Sequence, residues 1–519
     1  MVNIQTGKNS AARRLSRDVE LSDQWLKPFR AKRRDFLADY GGPHYARPNT
    51  EATVEKQPMN MLHLLSSVLV PSLCQRNVHA KVTTTQTEHR PFAEKLKLRL
   101  DHDFHEMDLS GAFRTMALDA LYGPAIIKVG LGASPGGGFD EPEGWDRDPG
   151  VGFAECVSFD DWFMDASANK RTKEGWEGDR YSVNYDWAMD TRMYKPELLE
   201  KAFAASQVYE QKHAGQAGRK YNSEPFYRKL FLIDLWFPHE GVIRTIPGIP
   251  SLTIGFLDEH EYEGPERGPY EVLGFSEMPG SPIPVPQIGV IYDLHLLVNE
   301  IARKIARQAR RQKDIPIFQG KAEKDATAIR DAADGEMTRV DDVKAHAVIS
   351  LGGANDENFR SVAWFLDAYN KFGGNPDVLG GLEAKAKTLG QERMQFGSAS
   401  VRINDMRHQA QKVRRRVVEK LAWYAWTDPD TALDLPVRID GGETVTVRWD
   451  PEVREGDFLE YTCDIEPYSL DDDSPEDQFE RKSKWVREII LPTAPLAANQ
   501  GSMLNVAKLA EITGKELNI

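Results

Sequence analysis

Residues 299–313 read NEIARKIARQARRQK: six Lys or Arg against one acid, in a chain whose formal net charge is −14. They close a longer stretch, 290–313, whose apolar residues recur at helical spacing. Leu294, Leu297, Val298, Ile301 and Ile305 fall within about 100° on a helical wheel, the width of a packing stripe. Arg303, Lys304, Arg307, Arg310 and Arg311 fall on the opposite side. One face is set to pack and the other to meet anions, either phosphates or an acidic protein surface. The same charges also suit a solvated helix C-terminus, where cations complement the macrodipole.

What flanks this helix sets the architecture. A short segment, 314–354, has the pattern strand (IPIF), helix (KAEKDATAIRDAA), strand (MTRV), strand (HAVIS). A second helix follows, NFRSVAWFLDAYNKF (358–372), then a glycine-spaced loop, GGNPDVLGGLEAKAK (373–387). A third and very long helix is expected over about 389–427, with Thr388 and Gln391 spaced for a capping box. A small α/β module therefore hangs between two helices, an elongated shape unlike a globular enzyme. The long helix carries a second basic run, Lys412, Arg414, Arg415, Arg416 and Lys420. Three consecutive arginines cannot share one helix face, so solvation and intersubunit ion pairs are the expected use.

Upstream, the first hundred residues read as helices, with Pro28 marking a break. AFRTMALDALYG reads as a helix stopped by Gly123 and Pro124, and AIIKVGL as a strand. LGASPGGGFDEPEGWDRDPG (131–150) reads as a flexible connection. Residues 151–163 and 228–237 read as strands around a polar helical stretch, 184–216. GFSEMPGSPIPVPQIG (274–289) is a Pro- and Gly-rich hinge. Downstream come a strand, TVTVRW (444–449), an acidic break, DDDSPED, and two short helices.

The bulk properties narrow the function. Three widely spaced cysteines, Cys74, Cys156 and Cys463, form no CxxC pair and no disulfide framework, which suits a reducing compartment. The run MLHLLSSVLVPSL (61–73) is too short to span a bilayer, so no membrane partner is expected. An acidic balance disfavours non-specific adhesion to nucleic acid over most of the surface and leaves room for local contact.

In this order of elements the chain resembles a portal protein of a tailed (Caudovirales-type) bacteriophage. ALDALYGPAIIKVGL (117–131) is similar to the helix, glycine and strand near the start of the family's wing, and VSFDDWFMDASA (157–168) to its strand and Asp-containing turn. VPQIGVIYDLHLLVNEIARKIARQ (285–308) resembles the segment entering the first stem helix, with Gln287 and Asn299 at characteristic places. KTLGQERMQFGSASVRINDMRHQ (387–409) resembles the start of the long wing helix, with Leu389-Gly390 in place of the commoner small-residue pair. The likeness covers roughly 110–470.

The resemblance implies an α+β, mainly helical, ring-forming subunit with wing, stem, clip and crown regions. Residues 1–289 would hold the N-terminal helices and wing, 290–313 and 355–372 the stem, and 314–354 the clip. The tunnel loop would be 373–387, the long wing helix and closing strands 388–470, and the crown 471–519. Tunnel-loop residues would be Gly373, Gly374, Asn375, Gly380, Gly381, Lys385 and Lys387. The clip's docking surface would present Lys321, Glu323, Lys324, Asp325, Arg330, Asp331, Arg339 and Asp341. Implied partners are eleven further copies in a dodecamer, double-stranded DNA in the channel, the terminase large subunit, the major capsid protein and scaffold, and a tail adaptor or connector. The implied location is a capsid vertex of the virion, after assembly in the host cytoplasm. Arg303, Arg307 and Arg310 would lie near the stem, against passing phosphates or acidic groups of a neighbour. Few cations should line such a channel, because each neutralised phosphate strengthens binding and would hold a sliding duplex in place.

No catalytic, metal or cofactor signature competes. Gly7-Lys8 and Gly514-Lys515 are followed by Asn and Glu, so the phosphate-loop pattern fails. His102, Asp103, His105 and Glu106 lack a further ligand at metal-site spacing, and read as a polar helix. Asp160/Asp161 and Asp471–Asp473 read as turn and solvation residues. The alternatives are another head-to-tail structural protein, or an enzyme acting on nucleic acid or polysaccharide through the Trp- and acid-rich region 145–187.

Overall fold

The computed structural model describes residues 4–45, 59–74, 78–131, 152–168, 171, 175–191, 194–216, 228–249, 254–321, 323–333, 337–341, 344, 346–351, 355–374, 389–428, 432–438 and 444–465. It is α+β and mainly helical, with about 55% helix and 21% strand. Its centre is a helical core against which small antiparallel sheets are laid. Helices α2 (Met61–Leu73), α3 (Arg90–Glu106) and α4 (Leu109–Tyr122) converge there on α10 (Leu389–Thr427). On α10, Ile403, Met406, Ala410, Val413, Val417, Leu421 and Tyr424 are buried at steps of three or four, one face of a helix. Each large apolar side chain so buried contributes about 2 kcal/mol. α4 ends where expected: Gly123 donates its N–H to Asp119 O, and Pro124 leads into β2 (Ala125–Leu131).

Two sheets flank this core. β2 lies between β3 (Gly152–Val157) and β9 (Tyr270–Leu273), while β4 (Trp162–Met164), β5 (Glu177–Asn184), β6 (Lys229–Phe237), β7 (Val242–Pro247) and β8 (Asp258–Glu261) form a five-stranded meander. α5 (Tyr185–Asp190) and α6 (Pro196–Gln216) fill the 184–216 stretch and bury Tyr185, Ala188, Leu199 and Ala202 against Val183, Leu230 and Leu232 of the meander. α1 (Ile4–Tyr45) lies against the five-stranded meander, tied by Arg30, which donates to Phe159 O (3.0 Å) and Trp162 O (2.7 Å), and by Ser22 to Met164 O (2.6 Å).

Four expectations need correcting. Pro28 does not break α1; the non-helical residue is Gly42, and tertiary bonds from Ser22, Arg30 and Arg33 override the local cost of proline. The first hundred residues are not all helical, because Ala80–Thr84 is a strand, β1, paired with β14 (Tyr461–Ile465). The module between the helices at 287–311 and 356–373 has two strands, β10 (Lys313–Phe318) and β11 (His346–Leu351), in one antiparallel ladder; MTRV (337–340) forms no strand. β12 (Leu433–Arg438) pairs with the expected strand β13 (Thr444–Trp449) and was not read from sequence. The 131–150 connection beyond Leu131, Thr388 and the 471–519 region lie outside the described residues.

Candidate functional site

The site expected from sequence is a helical hairpin that leaves the body and returns to it. α7 (Gln287–Arg311) runs out, β10, α8 (Glu323–Asp331) and β11 form the tip, and α9 (Asp356–Gly373) runs back. Asn358 at the start of α9 donates to Gln308 near the end of α7 (2.8 Å), which fixes the helices antiparallel. At the base, Gln287 donates to Ser276 of the hinge (2.7 Å). Asn299 clasps the backbone of Met59, accepting from its N–H (2.9 Å) and donating to its carbonyl (3.0 Å). The two polar residues singled out by resemblance therefore tie the outgoing helix to the body. Beside Asn299, His295 is 1% exposed, and burial holds its pKa below the ordinary value.

The buried stripe of α7 is Ile288, Ile291, His295, Val298 and Asn299. It is rotated by roughly a quarter-turn from the apolar set Leu294, Leu297, Val298, Ile301 and Ile305. Leu294, Ile301 and Ile305 are half-buried, and Leu297 is exposed. The reason is that α7 is apolar round a wider arc than one chain covers, and two of its buried positions are polar residues with bonding partners. Beyond Asn299, no residue of α7 is buried; α8 buries none, and α9 buries only Val362 and Tyr369. Large apolar side chains stand in the open instead: Phe359 (53% exposed), Trp364 (64%) and Phe372 (60%) on α9, with Val290 and Leu296 on α7. Phe372, Val290 and Val401 of α10 line a cavity of about 510 Å³ at the hairpin's foot.

The cations of α7 sit on its outer part, where Lys304, Arg307, Arg310 and Arg311 are exposed and Arg303 is half-buried. On the tip, Lys321, Glu323, Lys324, Arg330, Asp331, Arg339 and Asp341 are exposed and Asp325 half-buried. Arg330 and Asp331 pair with each other at 2.8 Å, and Asp325 accepts the N–H of Asp341 (3.0 Å). Gly373 ends α9, and Gly374 caps it with φ 89°, a left-handed geometry suited to glycine. Asn375, Gly380, Gly381, Lys385 and Lys387 lie outside the described residues.

The second basic run is structural. Arg414, 1% exposed, donates to Leu73 O (2.6 Å) and stacks over Phe113; Lys420 pairs with Glu271 at 2.9 Å. Arg415 pairs with Glu419 (3.0 Å), and Arg416 lies 3.5 Å from Glu271. These ion pairs are within the chain, not between subunits. Burial pushes the Lys420 ammonium down despite Glu271. Asp103 is held by the fully buried Arg99 at 2.8 Å, and no cluster of metal-binding side chains occurs among the described residues. Asp160 and Asp161 pair with Arg34 and Arg180.

One constellation escaped sequence reading. Lys128 of β2 pairs with Asp179 of β5 (2.7 Å) and lies 4.0 Å from Asp234 of β6, where the three- and five-stranded sheets meet. Asp234 accepts from Tyr181 (2.9 Å) and Thr245 (2.7 Å), and Tyr270 donates to Asp179 (2.5 Å). Burial alone would push the ammonium down; Asp179 and Asp234 more than offset it and hold its pKa above that of an ordinary lysine. Burial pushes the Asp234 carboxyl up. The signal was in the sequence: a lone Lys in AIIKVGL and a lone Asp in LFLIDLWF are charges inside apolar strands, which persist only when paired. Cavities of about 290 and 570 Å³ lie against this pair, with Lys128 and Tyr181 lining both.

No helix among the described residues is long and apolar enough to cross a membrane. No known protein family matches the chain, and no curated protein is similar to it in sequence.

Proposed function

We propose that the chain is the portal subunit of a tailed bacteriophage, a ring-forming conduit through which DNA enters and leaves the capsid. The observation that carries this reading is a hairpin of two helices with a βαβ tip in which, among the described residues, burial is confined to the base of α7 and to Val362 and Tyr369 of α9. Beyond Asn299 on α7, and on α8, no described residue is buried, and the hairpin presents Phe359, Trp364 and Phe372 to solvent. A segment built this way reaches ordinary burial only when copies pack side by side, and exposed apolar surface of this extent marks association. The order of helix, tip, helix and then the 39-residue helix α10 supports the same reading, since it is the stem, clip, stem and wing order of the resemblance.

In this assignment α7 and α9 form the stem wall, and β10, α8 and β11 form the clip. The terminase motor docks on the clip during packaging and tail adaptors replace it afterwards. The capsid protein surrounds the wing. The chain acts as a passage and docking platform, with ATP hydrolysis in the separate motor. Particle mass and shape test this directly, by mass photometry and negative-stain imaging of the purified chain. Rings with a central hole near twelve times 58.6 kDa are expected. A compact monomer or dimer at every salt and protein concentration would overturn the assignment.

A further inference from the structure

The larger of the two cavities in the wing, about 570 Å³, has a composition that neither the ring nor the channel requires. Its walls are aromatic: Tyr181, Tyr194, Trp236, Tyr262, Tyr270 and Tyr424, brought from β5, the α5–α6 connection, β6, the segment after β8, β9 and α10. Its carboxylates are Asp234 inside and Asp258, Glu261 and Glu263, of which the two glutamates are exposed. Among the described residues that line it, Lys128 is the one lysine or arginine and is already paired with Asp179 and Asp234, while His260 lies 2.8 Å from Asp258. The cavity is therefore negative as well as aromatic. Anionic ligands are repelled.

These rings already take one ammonium: Lys128 Nζ lies 5.4 Å from the Tyr181 centroid and 5.8 Å from that of Tyr270, within the range of a cation–π contact. Trp236 and Tyr262 form a second, tilted pair, centroids 5.9 Å apart, and among the described residues no cation stacks on either ring. Trp236 is held in place by Gly268, whose φ of 74° and lack of a side chain let the ring close over the backbone. Its indole Nε1 is buried without a hydrogen-bond partner among the described residues.

We propose that this cavity binds an organic cation, an alkylammonium or guanidinium group, between Trp236, Tyr262 and Tyr424, with Asp258, Glu261 and Glu263 supplying the opposite charge. The group comes either from a free polyamine or from a lysine or arginine side chain of another polypeptide. This site is independent of the portal assignment.

Isothermal titration of the full chain with spermidine, and separately with Nα-acetyl-arginine amide, tests it, with Trp fluorescence as a second readout. Maltose and inorganic phosphate serve as neutral and anionic controls. Saturable binding of at least one cation is expected, together with a loss of roughly tenfold or more in Glu261→Gln/Glu263→Gln and in Tyr262→Ala. The glutamates are exposed, so the first variant tests the site even where Tyr262→Ala fails to fold. Spermidine binding alone assigns the free cation as source, and binding of the arginine amide assigns a side chain. Absence of saturable cation binding, equal binding of maltose, or unchanged affinity in the glutamine variant would each overturn the proposal.

Discussion

Lys128 shows what a single charge does where the three- and five-stranded sheets meet. Its ammonium is 2.7 Å from Asp179 and 4.0 Å from Asp234, all three largely out of water. Removing one partner of such a set strands the others, which costs far more than the pair itself contributes. Lys128→Met is therefore expected to destabilise the fold by about 3–5 kcal/mol, read as a drop in the midpoint of urea unfolding. Lys128→Met combined with Asp179→Asn and Asp234→Asn should recover most of that loss. A single variant as stable as the parent would mean the carboxylates are neutral or hydrated. At this scale the sequence held more than was taken from it. A charge in the middle of an apolar strand announces a buried pair, but not its partner, since Asp179 and Asp234 lie 51 and 106 positions downstream of Lys128. Arg414 misled in the other direction: three arginines in a row look solvated, yet one is fully buried over Phe113.

Among the elements, α9 divides most sharply between what one chain uses and what it leaves over. Val362, Phe365, Leu366 and Tyr369 turn inward, and Trp364 faces the other way with Arg360, Asp367 and Lys371. Trp364→Glu touches no core, so the stability of the isolated chain should change by no more than about 0.5 kcal/mol. Under the proposed portal assignment ring formation should fail, with mass photometry showing monomers in place of the rings expected of the parent. Rings of unchanged mass in the variant would take Trp364 out of the interface. Long elements were legible: α10 is Leu389–Thr427 where about 389–427 was expected, while the hairpin helices, expected over 290–313 and 358–372, run Gln287–Arg311 and Asp356–Gly373. Short strands were not. β1 has five residues and a partner near the other end of the described chain, so nothing local marks it. β5, β7 and β8 pair within a meander whose register is fixed by neighbours, which a window of a few residues does not contain.

For the molecule as a whole, the phenols and thiols of the core set an alkaline limit. Burial pushes Tyr194, Cys156 and Cys463 up to about 12, and raises Tyr122 and Tyr369 as well. In the unfolded chain a thiol ionises near pH 8.5 and a phenol near 10, at about their ordinary values. Between those values and the raised ones, the native state holds protons that the unfolded state has released. Stability must then fall as pH rises, by about 1.4 kcal/mol per pH unit for each such group. Urea midpoints should be flat with respect to these groups below about pH 8 and decline steadily from about pH 9; a midpoint unchanged at pH 11 would show the core to be hydrated. The mainly helical α+β class and the hairpin interrupting it were readable from order and length. The buried charges of Lys128, Asp179 and Asp234 were not, because they come together only where two sheets meet.

The ladder between β1 and β14 also has a meaning in time. Thr83 and Thr462, which face each other across it, are 379 residues apart. A ribosome adding about 5–20 residues per second needs roughly 20–75 s to cover that distance. Through that interval the early strand is without its partner, so a nascent chain lacks this ladder until Tyr461–Ile465 has been made.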